Sequence, residues 1–90
     1  MKSSIDEIEE ALIKAFTEAQ TLNMRTLPQG GITVRTVPEE HLEGFDSMQV
    51  LEIVMNLSTL LNRPVKPAII KPVDGVYPDI HTLAQRLQSA

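Results

Sequence analysis

Residues 44–48 read GFDSM, an aspartate and a serine at the mouth of an apolar run. A serine hydroxyl does chemistry either as a base-activated nucleophile or as the acceptor of a group that another enzyme delivers. The nucleophile reading would pair Ser47 with His41 or His81. Yet FDSMQ lacks the Gly-x-Ser-x-Gly turn that exposes a nucleophile in one major hydrolase class. Neither histidine has an evident orienting partner, so both read as isolated surface residues. Glu39, Glu40, His41 and Glu43 offer ligand atoms, but their spacing fits no standard metal site, and no metal ligand is assigned. The chain has no cysteine, so any sulfur chemistry must be borrowed. The Asp46-Ser47 pair also has an ordinary explanation, since both residues are at home where a helix begins.

The elements that position this pair must be small. Ninety residues make one domain, 1–90, which buries roughly 60–65% of the surface its unfolded chain exposes and leaves little room for an interdomain cleft. Only Phe16, Phe45 and Tyr77 are aromatic, so the core must be built from Leu, Ile, Val, Met and Ala, a composition suited to packed helices. No signal-peptide run and no stretch near the ~20 apolar residues of a membrane span is present, so a monomeric cytoplasmic protein that does not enter membranes is expected. Residues 37–62 hold five acids and no Lys or Arg, a charge of -5 that leaves +1 for the rest of a chain whose total is -4. That segment repels nucleic acid and attracts basic protein surfaces, or is simply a solvated acidic loop.

The pattern predicts an all-α fold of three main helices and one short one. Ser4 with Glu7 three residues on is a capping box, and Asp6, Glu7, Glu9 and Glu10 complement the helix dipole. Ile5, Ile8, Leu12, Ala15, Phe16, Ala19 and Leu22 keep the helical period, with Asn23 as the stop. A long connection follows, broken by Pro28, Gly30, Gly31 and Pro38. Its residues 32–37 could be extended without a partner strand, and Leu27, Ile32, Val34 and Val37 are the expected anchors. The second helix is predicted over 47–61, with Asp46 as N-cap and Gln49 where a capping box places Glu or Gln. Prolines at 64, 67, 72 and 78 then allow one short turn near 68–71, Asp74-Gly75 reads as a turn, and Pro78 is placed as first residue of a last helix striped by Ile80, Leu83, Ala84 and Leu87.

At 100° per residue the second helix has two apolar sides. Val50, Ile53, Val54, Leu57, Leu60 and Leu61 form the core face. Met48, Leu51 and Met55 lie roughly opposite, beside Glu52. Either the long connection folds over this second stripe, or it stays in water as an adaptable docking patch for partner proteins, toward which the acids steer basic surfaces.

LEGFDSMQVLEIVM, residues 42–55, resembles the Gly-x-Asp-Ser-Leu/Met signature of acyl carrier proteins and the recognition helix that follows it. The helix order over nearly the whole chain is similar to that family's four-helix bundle, with its long loop between the first two main helices. The resemblance implies a non-catalytic carrier of fatty-acid or related biosynthesis. Ser47, after Asp46, would bear a covalent 4'-phosphopantetheine arm through a phosphodiester, a phosphopantetheinyl transferase would attach it, and acyl chains would ride as thioesters on its thiol. It further implies that Met48, Leu51, Glu52 and Met55 meet acyl-transfer and condensing enzymes, and that short acyl chains can retreat between the helices. Gln49, Ser58 and Thr59 stand where many fatty-acid carriers have further acids, and Arg63, Lys66 and Lys71 follow, which points toward a specialised pathway. The rival reading is an unmodified helical adaptor that binds its partner through Met48, Leu51 and Met55.

Overall fold

The computed structural model describes residues 4–42, 44, 45 and 47–89, with the side chain of Ser47 outside that description. Helix α1, Ile5–Leu22, opens where Ser4 Oγ accepts the amide of Glu7 at 3.2 Å, and Asp6 and Glu7 sit in its first turn. It ends in a Schellman motif at Asn23: the amide of Arg25 donates to Gln20 O at 2.8 Å and that of Met24 to Thr21 O at 3.0 Å. The left-handed position of this motif is filled by Met24, at φ 55° and 94% exposed, where glycine is usual.

The connection after α1 is a series of turns, and residues 32–37 form no strand, with a turn at 34–35. The amide of Thr36 donates to Thr33 O at 3.1 Å, while Thr36 Oγ1 accepts the amide of Thr33 at 2.9 Å. Ile32 is buried as expected, Leu27, Val34 and Val37 are half-buried, and Thr36, Pro38 and Leu42 are buried as well. Pro38, read as a breaker, instead opens a single helical turn, α2, Pro38–His41, because proline needs no amide partner at a first helical position.

Helix α3, Ser47–Leu61, has the predicted bounds. It closes on a second Schellman motif, with Asn62 at φ 53° and the amide of Arg63 donating to Ser58 O at 3.2 Å. Ser58 Oγ donates to Val54 O at 2.8 Å and accepts the amide of Val65 at 3.1 Å, which folds the following segment back onto the helix. A 3-10 turn, Pro67–Ile70, comes next. Asp74 and Gly75, both at positive φ, then form the turn of a tight hairpin in which Val73 and Val76 exchange amide–carbonyl bonds of 3.1 and 3.0 Å.

Helix α4, Ile80–Ser89, starts two residues after Pro78. Asp79 takes the cap, its Oδ1 accepting the amide of Thr82 at 2.7 Å. The amides of Ile80 and His81 donate to Thr36 O and Val34 O, each at 3.0 Å, so the long connection satisfies two donors of the new helix and sets its start.

Four α-helices and the 3-10 turn thus form an all-helical core without strands among the described residues. Helix α1 packs on both α3 and α4, and the 3-10 turn bridges the latter two. Ile8, Leu12, Phe16, Ile53, Leu57, Ile80, Leu83 and Ala84 fill the centre with at most 1% exposure. Two expected core residues lie outside. Leu22 is exposed and Leu60 is 39% exposed, both in the last turn of their helix, beyond the reach of the elements that cover its apolar face. Among the described residues no helix is long and apolar enough to cross a membrane.

Candidate functional site

The segment leading into α3 is held from below. Leu42 is buried, and the ring of Phe45 stacks on Phe16 of α1 at a centroid distance of 5.9 Å. An aromatic pair of this kind contributes about 0.5–1.5 kcal/mol beyond its buried area. Phe45 is therefore an anchor of this segment on α1. Gly44 lies at φ +65°, where any larger residue is strained and would displace the Arg25 guanidinium that occupies the space of a Cβ. These contacts fix where the helix begins, with Ser47 as its first residue.

The expected N-cap Asp46 and the nearby Glu43 lie outside the described residues, as does the Ser47 side chain. The backbone around Ser47 nevertheless has a defined character. A fifteen-residue helix starts there with no acidic residue in its first turn, whereas α1 has Asp6 and Glu7. The positive end of the α3 dipole lies at this residue and favours an anion attached there.

Outward from Ser47 runs the second stripe. Met48 is 72%, Leu51 55% and Met55 70% exposed, so the long connection does not fold over them. Glu52 is half-buried at the edge of this stripe, where its Oε2 accepts a bond from Asn23 Nδ2 at 3.1 Å. That link ties the end of α1 to the edge of the exposed stripe and leaves the Glu52 charge beside it.

The inward side of the same first turns holds a feature the sequence did not disclose. Gln49 is buried, and its Nε2 donates to Gln20 Oε1 at 2.7 Å. Its side-chain N–H thus donates across the α1–α3 interface, while Asp46, the partner of the expected cap, lies outside the described residues. The place of Gln49, 80° from Leu57 on the helical wheel, was the available signal for its burial. Beside it a groove of about 310 Å³ opens between α3 and the 3-10 turn, lined by Glu39, Val50, Leu51, Pro67, Ile70 and Lys71 together with Pro72. Its walls come from three separate segments, which no local pattern brings together.

Both histidines have partners that the sequence did not reveal. His41 Nδ1 accepts the amide of Val37 at 2.9 Å and closes its own helical turn. His81 Nδ1 lies 2.7 Å from Glu9 Oε2, linking α4 to α1. Each serves a structural contact. No group of three or more His, Asp or Glu side chains suited to a metal ion occurs among the described residues. Comparison of the chain with protein-family models, with curated proteins and with solved structures gave no match.

Proposed function

We propose that this chain is an acyl carrier protein whose Ser47 bears 4'-phosphopantetheine. The observation that carries the reading is one of position: the Asp46-Ser47 pair stands at the start of a fifteen-residue helix, next to an exposed Met48, Leu51 and Met55 stripe. The residues present fit the group. Ser47 supplies the attachment oxygen, and the positive dipole end of α3 at this residue favours a phosphodiester there. Phe45 anchors the segment on Phe16 of α1, two residues before the attachment point. The arm, once attached, contributes the thiol that this cysteine-free chain lacks, and with it thioester chemistry.

The chain's own part is presentation. Met48, Leu51 and Met55 offer flexible apolar contacts to acyl-transfer and condensing enzymes, and the acids of residues 37–62 draw basic partner surfaces to them. The 310 Å³ groove beside Val50 and Leu51 is large enough for part of an apolar cargo. In this reading the fold is a four-helix bundle of acyl-carrier type with a cytoplasmic, monomeric working state. The bond-making belongs to partner enzymes.

Incubation of the purified chain with coenzyme A and a broad phosphopantetheinyl transferase tests this reading. One phosphopantetheinyl addition is expected, and none for Ser47→Ala. An unchanged mass with several transferases favours the adaptor, which would use the same exposed stripe without modification.

A further inference from the structure

A second, larger concavity lies among the segments that follow α3. It is a groove of about 740 Å³ between the segment after α3, the 3-10 turn and the end of α4. Its apolar floor includes Pro64, Val65, Ile69 and Leu87. Its charged lining is of one sign: Arg63, Lys66, Lys71 and Arg86, with no acidic residue. This is unexpected in a chain whose total charge is -4.

The two arginines are built in. A guanidinium N–H of Arg63 donates to Leu87 O, and Arg86 Nη1 donates to Ile69 O at 2.9 Å and to Lys71 O at 2.7 Å. They tie α4 to the two segments facing it and fix two positive charges at the groove wall without neutralising them. Lys66 and Lys71 are exposed at the rim, and among the described residues no carboxylate lies within ion-pair distance of any of the four. The nearest acids in sequence, Asp74 and Asp79, do not line the groove, and Asp79 is engaged as the cap of α4.

We propose that this groove binds a single-chain anionic amphiphile, an unbranched alkyl chain ended by a carboxylate. The volume falls within the about 300–1,000 Å³ typical of small-molecule sites, and an apolar floor with a few convergent charges is how such sites fix orientation. The alkyl chain lies on Val65, Ile69 and Leu87 while the carboxylate meets the lysines. The groove adjoins the smaller one beside Val50 and Leu51, with which it shares Lys71 and Pro72, but no residue of α3 lines it, and the proposal does not rest on the carrier reading.

The test is calorimetric titration of the full, unmodified chain with dodecanoate below its micelle concentration, with amide chemical shifts followed by nuclear magnetic resonance. Saturable one-to-one binding is expected, with shifts centred on Val65, Ile69 and Leu87. Dodecyltrimethylammonium should bind at least about tenfold more weakly, since its headgroup meets like charge. The double variant K66E/K71E should lose about tenfold in dodecanoate affinity. Ala68→Trp, at an exposed position in the groove lining, should abolish saturation with an unchanged thermal melt, and Ser47→Ala should bind as the native chain does. Equal affinity for the two headgroups, shifts centred instead on Val50 and Leu51, or association only with anionic phospholipid vesicles would each overturn the proposal.

Discussion

The inward face of α3 carries Ile53, Val54 and Leu57 against the other helices, and the outward face carries Met48, Leu51 and Met55 into water. Both are apolar, and composition alone does not distinguish them. Geometry does: α1, α4 and the 3-10 turn converge on one side, and no described element covers the other. The inward residues are β-branched or compact, with well-defined rotamers suited to dense packing, while two of the three outward ones are methionines that adapt to changing neighbours. A small fold that leaves an apolar stripe in water next to its most reactive-looking residue has a surface suited to a partner. The lesson is that a second apolar stripe on a helix is informative only once its cover, or lack of it, is known.

The contrast is sharpened most by substitution in the core. Leu57→Ala should cost about 2–5 kcal/mol in urea unfolding, since Leu57 is fully buried and its removal leaves a cavity. A loss below about 1 kcal/mol would mean that the inward face is loosely packed. Next comes the polar contact within that face. Gln20→Ala removes the acceptor that meets Gln49 Nε2 at 2.7 Å and should cost about 1–3 kcal/mol. Adding Gln49→Leu to Gln20→Leu should recover part of the loss in the same unfolding assay. Met24→Gly should act in the opposite direction, stabilising by about 1 kcal/mol, because it relieves a left-handed backbone at an exposed side chain.

The outward face should show the smallest effect on stability and the largest on traffic. Met48→Glu and Met55→Glu are expected to change unfolding free energy by no more than about 0.5 kcal/mol, while transfer of cargo to or from partner enzymes falls. A large drop in melting temperature with transfer intact would reverse the assignment of the two faces.

Much of this was legible in the sequence because the signals were local. The caps at Ser4 and Asn23, the Asp74-Gly75 turn and the stripes of α1, α3 and α4 each follow from residues within a few positions of one another. What escaped depends on distant neighbours. The start of α4 was misplaced by two residues because its first amides are met by Thr36 and Val34, more than forty positions away. Leu22 and Leu60 keep the helical period yet lie beyond its cover, and period carries no information on where a neighbouring helix ends. The bond from Gln49 Nε2 to Gln20, twenty-nine positions away, has no local signal either. At the site itself, the exposed stripe could be read from angles, whereas both grooves join segments that only the fold brings together.

The most direct check is the intact mass of this chain purified from its own host, with fragmentation to locate any addition. The carrier account predicts a phosphopantetheinyl group on Ser47, in part bearing a thioester-linked acyl chain that hydroxylamine releases. A chain that is bare in every preparation, or one modified at a different residue, would contradict it.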